Sequence, residues 1–154
     1  MRKERERESG ARRVPLDRLK RLYLREFASI SDDIYYSIIF EREYPALARI
    51  FESASLEGVE DFRALGVRIA ELGGDLSLNL RLGQGRARPA DISRISAQDI
   101  DRIMRYAAKR EQMSIALCES IASVCDSADT VDFISDISLK KRARCELFSR
   151  ILNS

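Results

Sequence analysis

The chain has 154 residues, with 27 Lys and Arg against 25 Asp and Glu, a formal net charge of +2. That length suits one domain, and the near-balance of charge is not that of a surface built to hold nucleic acid. There is no His, which excludes a Ser–His pair, a His general base and any His-ligated metal.

Residues 1–14, MRKERERESGARRV, alternate Arg or Lys with Glu around Gly10 and read as a charged, disordered arm before a folded domain over 15–154. Four segments with helical period follow. In 15–43, Leu19, Tyr23, Phe27, Ile30, Ile34 and Ile38 recur every three or four residues, one helical stripe. Pro15 suits a first-turn position, where its missing N–H costs nothing. In 45–72 the stripe is Leu47, Phe51, Ala54, Phe62, Leu65, Ile69 and Leu72, and Gly73-Gly74 is a stop signal. The short link before Pro45 makes these two helices antiparallel neighbours.

Residues 75–95 read as a long polar connection, with room for a short strand-like or helical piece over 76–82. A third helix starts at Ser96, with Asp99 completing a capping box, and carries Ile100, Met104, Ala107, Ser114, Ile115, Cys118, Ala122 and Cys125. After a turn at 126–129, a fourth runs over 130–152 with Ile134, Ile137, Phe148 and Ile151 inward. Strand-like alternation is nearly absent. The fold expected is all-α: an antiparallel four-helix bundle of two helical hairpins joined by a long crossover.

Each stripe is broken near its middle by polar residues. These are Glu26, with Asp33 seven residues on, in the first helix, and Gly58 and Asp61 in the second. In the third they are Glu111, flanked by Gln112, and in the fourth Lys141 and Arg144. Helices of roughly 25 residues bring these gaps to similar heights, and charged groups are rarely buried unless paired.

The arrangement resembles the ferritin-like superfamily, in particular its bacterial rubrerythrin- and bacterioferritin-like branch. The run from Glu26 through Glu43-Tyr44-Pro45, and Leu65 through Leu72-Gly73-Gly74-Asp75, carry the likeness, which covers residues 20–75 well and 100–152 loosely. The resemblance implies a two-metal centre with one Glu from helices 1 and 3 and a Glu-x-x-His from helices 2 and 4. Glu26 matches the first ligand, and Glu111 or Gln112 the third-helix Glu. The second-helix motif has become Gly58-x-x-Asp61 and the fourth Lys141-x-x-Arg144. Two permanent cations among the surviving carboxylates would repel a metal by several kcal/mol at low effective dielectric.

The expectation is therefore a degenerate ferritin-like protein without a dimetal centre or other cofactor, in a non-enzymatic structural or binding role. Its vestigial site is a salt-bridge cluster of Glu26, Asp61 and Glu111 with Lys141 and Arg144. The alternative is an oxidoreductase or iron- or manganese-handling protein with a carboxylate site on Glu26, Asp61 and Glu111. A cavity at Gly58, where a ligand side chain has become none, is a further candidate binding site.

Segment 34–40 is apolar nearly all round, which places Tyr36 and Phe40 in a homodimer interface or under the crossover. Gly83-Gln84-Gly85 with Arg86 and Arg88 reads as a flexible basic loop, and the run 140–144, KKRAR, fans round its helix so that part of it faces solvent as surface charge. Nucleic acid is not an expected partner, and neither is a membrane, since no run of eighteen apolar residues occurs. Cys118, Cys125 and Cys145 are odd in number and without CxxC spacing, and the first residues lack a signal's apolar stretch. Reduced thiols and a cytoplasmic location are expected. Cys118 and Cys125 are seven residues apart, ~10 Å along a helix, too far for a disulfide.

Overall fold

The computed structural model describes residues 14–154, so the expectation for the arm lies outside the described residues apart from Val14. The described residues hold four helices: α1 (Leu16–Phe40), α2 (Pro45–Glu71), α3 (Ala97–Val124) and α4 (Ala128–Leu152). There is no strand among the described residues.

Local chemistry sets the ends. Pro45 occupies the first turn of α2, where its fixed φ is already helical. Gly73 takes φ +77°, and Gly74 N–H donates to the Ile69 carbonyl, closing α2 as expected of the Gly pair. At α3, Ser96 Oγ accepts from the Asp99 N–H while the Asp99 carboxylate accepts from the Ser96 N–H, the reciprocal capping box. Helix α1 stops at Phe40, three residues before the expected limit, and residues 76–82 form neither strand nor helix.

Helices α1 and α2 pack as one hairpin and α3 and α4 as the other, with α1 also against α3. The order of contacts gives the directions. Arg18 donates to the Ser120 carbonyl, Arg25 to Ser114, and Arg110 reaches Asp33, so α1 and α3 run antiparallel. From Arg68–Asp129 through Asp61–Lys140 and Glu57–Arg144 to Phe51–Phe148, α2 and α4 do the same. The crossover climbs the length of α1. Lys20 donates to the carbonyls of Asp75 and Ser77, Tyr23 to Leu76, Tyr36 to Ala87, and Tyr44 to Ile95.

The core is in two parts. One end holds Leu19, Leu22, Leu65, Ile69, Ile121, Ile134 and Ile137. The other holds a stacked aromatic group, Tyr36, Phe40, Phe51 and Phe148, with Ile103 and Met104. Between them lies a layer of charge.

The α1 stripe needs correction. Ile34 and Ile38 are 45% and 65% exposed, and the buried path passes instead through Asp33, Tyr36 and Phe40. The expected interface residues Tyr36 and Phe40 are wholly enclosed within the chain, and the Tyr36 hydroxyl is tied to the crossover. They cannot meet a second copy. For Tyr36 the reading under the crossover is the one observed, while Ile34 and Ile38 of the same segment stay exposed.

Candidate functional site

Lys141, one turn past Ile137 on the inward stripe of α4, is 1% exposed and carries its ammonium into the middle of the bundle. Its Nζ pairs with Glu26 Oε1 of α1 and lies 3.6 Å from Glu111 Oε2 of α3. Both carboxylates are equally enclosed. Arg144, one turn further, reaches Glu57 of α2 through Nη2 and Glu111 Oε1 at 3.5 Å through Nη1. Neither side chain snorkels to the bundle edge. The register of α3 is settled: Glu111 is inward and Gln112 exposed.

A third cation, Arg110, extends the layer toward α1. Its Nη2 lies 2.7 Å from Asp33 and 3.2 Å from Glu111, and its Nη1 3.3 Å from Asp32. Asp32 also accepts from Arg86 of the crossover and, at 2.8 Å, from the Tyr106 hydroxyl. Asp61 is buried but points to the edge, paired at 2.9 Å with Lys140 rather than with Lys141 or Arg144. The layer thus sets Glu26, Asp32, Asp33, Glu57, Asp61 and Glu111 against Arg86, Arg110, Lys140, Lys141 and Arg144. Charge is nearly balanced inside the fold, as burial requires.

Desolvation and pairing compete at each group. Burial raises the Glu26 carboxyl above its ordinary value, and Lys141 only partly offsets this. Burial also pushes Asp33 up, to about 6, although Arg110 pulls the other way. Burial would raise Glu111 too, but Lys141, Arg110 and Arg144 together outweigh it and hold the carboxyl below the usual range. Lys141 would be lowered by burial, but Glu26 and Glu111 raise it, so it stays an ammonium. Cys118 is buried, which pushes its thiol up to about 12 and leaves it an unreactive packing group. Cys125 and Cys145 are half-buried free thiols.

Gly58 does not open a cavity. A Cβ there would meet Ile30 Cγ1 at 3.0 Å and sit 4.0 Å from Glu26 Oε2. The space of a missing ligand side chain is filled from α1, which overturns the expected Gly58 binding site.

Iron or manganese would need hard oxygen donors converging on one point. Among the described residues no group of three or more His, Cys, Asp or Glu side chains is placed to hold a metal ion. Lys141 Nζ stands between Glu26 and Glu111, and Asp61 turns away to Lys140. The donor set Glu26, Asp61 and Glu111 does not fit a metal in this arrangement.

Several members of the layer escaped the sequence reading: Arg110, Asp32, Glu57, Arg86 and Tyr106. Arg110 follows Ala107 by three residues and precedes Ser114 by four, so the α3 stripe itself held the signal. Arg86 lies in the loop read as flexible and basic, yet its guanidinium is buried on Asp32 and stacks over the Tyr35 ring. The basic run 140–144 fans round α4, with Lys140 and Arg142 exposed and Lys141 and Arg144 buried. Its cations find carboxylate partners in Asp61, Glu26, Glu119 and Glu57, and two of them are buried.

In comparison with known proteins, no family model matches this sequence, and no curated protein matches it significantly. No helix among the described residues is long and apolar enough to cross a membrane.

Proposed function

We propose that this chain is a ferritin-like bundle whose metal chemistry has been replaced by fixed internal charge, and that it serves a non-enzymatic, structural or binding role. The observation that carries this reading is the Lys141 ammonium lying between Glu26 and Glu111, where the resemblance would put a metal ion between helix carboxylates. A side-chain cation supplies the same sign of charge at the same height. It needs no metal supply and cannot change oxidation state, so the layer can hold four helices in register but cannot accept electrons. The Tyr, Lys and Arg anchors that tie the crossover to α1 and to the start of α2 fit a rigid scaffold. Such a layer need not stabilise the fold overall, because desolvation offsets much of the Coulomb gain. Its contribution is register: any shift of one helix along another separates buried charges.

Metal analysis tests the proposal. Protein produced in medium supplemented with iron and manganese is expected to carry far less than one metal per chain, with a melting temperature unmoved by a chelator. A stoichiometric metal lost on Glu26→Ala would instead establish the metal-handling alternative.

A further inference from the structure

A second feature lies beside the charged layer, on the α1–α3 side. There a surface cavity of about 330 Å³ is lined by Arg25, Ala28, Asp32, Lys109, Arg110 and Met113 together with Tyr106. Three of these are cations and one is an acid. Asp32 is spoken for, since Arg86, Tyr106 and Arg110 all donate to it. Arg25 is different. Among the described residues no carboxylate lies within ion-pair distance of it, and its hydrogen bonds, to Ser114 Oγ and to the Arg110 carbonyl, are both long at 3.4 Å. Burial and the nearby Arg110 both act against its charge. Lys109 is exposed and without an acidic partner among the described residues. Arg110 is only 7% exposed, yet its Nε has no acceptor.

Elsewhere in the layer the buried cations meet carboxylates. At this cavity compensation from the protein is incomplete, and an arginine is partly desolvated without the anion that would justify it. Guanidinium groups hold carboxylates and phosphates through paired, charge-assisted hydrogen bonds. Ala28 and the half-exposed Met113 add an apolar strip beside the cations. The volume is at the small end of the range for ligand sites.

We propose that this cavity binds a small organic oxyanion, a carboxylate or phosphate monoester, with its anionic head on Arg25 and Lys109 and its carbon body against Ala28 and Met113. The proposal gives content to a binding role, but it does not depend on the core being metal-free. A metal found at Glu26 would overturn that earlier reading and leave this one to be decided by its own titration.

The full chain, pretreated with a chelator, is titrated by calorimetry at constant ionic strength with acetate, hexanoate, inorganic phosphate and phenyl phosphate, with chloride as reference. Saturable binding is expected for at least one of the two classes, tighter for the member with the carbon body, and the class that binds identifies the head group. Arg25→Gln is expected to weaken it at least tenfold, on the order of a lost charge-assisted hydrogen bond. Lys109→Gln, on an exposed position where folding is not at risk, is expected to weaken it about threefold or more. Absence of saturable binding up to about 20 mM, far weaker than a millimolar site, overturns the proposal. So does binding that Lys109→Gln and a folded Arg25→Gln both leave unchanged.

Discussion

Lys141 is held by two carboxylates from two other helices, and nothing else in the core replaces it. Removing it leaves Glu26 buried and uncompensated. Lys141→Met is expected to cost about 3–5 kcal/mol in urea unfolding, the range for breaking one side of a buried pair. The double variant with Glu26→Gln is expected to recover most of that loss, which a double-mutant cycle reads directly. Arg144→Ala should cost less than Lys141→Met, because its Glu57 partner is 41% exposed and can be rehydrated. Asp33 adds a pH signature. Its folded carboxyl titrates at about 6, above the ordinary 3.8. A raised acid favours the folded state below its unfolded value, and that contribution is lost as pH rises through its folded value. Asp33→Asn should therefore gain on the wild type between about pH 4 and 6, by up to about 3 kcal/mol, the cost of ionising a carboxyl held that far above its ordinary value. Stability curves at several pH values check this. A gap that stays constant across that window would show Asp33 to be an ordinary carboxylate.

At the scale of the helix, two interior glycines separate packing from propensity. Both Gly58 and Gly66 lie in α2 and are buried. A Cβ at Gly66 would meet Tyr23 Cε2 at 3.4 Å, an ordinary contact, whereas at Gly58 it would meet Ile30 Cγ1 at 3.0 Å. Gly66→Ala is expected to stabilise by about 0.5–1 kcal/mol through helix propensity. Gly58→Ala should gain nothing or lose stability, and Ile30→Ala beside it, which removes the Cγ1 in the way, should relieve the crowding. Thermal unfolding of the three variants separates these outcomes. The helices themselves were legible because their signals are local: Pro45, the Gly73-Gly74 stop and the Ser96–Asp99 box each act within one turn. Lys141 and Arg144 were legible as inward because they fall between Ile137 and Phe148 on one stripe. Arg110 was not, since stripe arithmetic is good to about one residue and Glu111 took its place. Ile34 and Ile38 misled for a related reason. Helix α1 is buried on two sides, by α2 and by α3, so no single apolar line describes it.

For the molecule as a whole, the crossover turns two hairpins into one body. Its route along α1 was not readable, because an irregular strap has no period and its anchors are hydroxyls, a lysine and one arginine on distant carbonyls and carboxylates. Arg86 carries the crossover into the charged layer, through Asp32 and Ser31. Arg86→Ala is expected to lower stability by about 1–3 kcal/mol through loss of the buried Arg86–Asp32 pair, which leaves Asp32 to Arg110 and Tyr106. Amide exchange over 83–90 should speed up well before that of α3. Equal protection in both segments would mean that Arg86 does not hold the strap.

Those tyrosines have an optical consequence. The protein has no Trp and five Tyr, and three of them, Tyr23, Tyr36 and Tyr44, donate their phenol protons to crossover carbonyls. Ultraviolet emission from the unlabelled chain therefore comes from tyrosine, and three of its five rings clasp the strap. Detaching that segment would change the glow of the native protein before the helices melt, giving a built-in lamp for watching the two halves come apart.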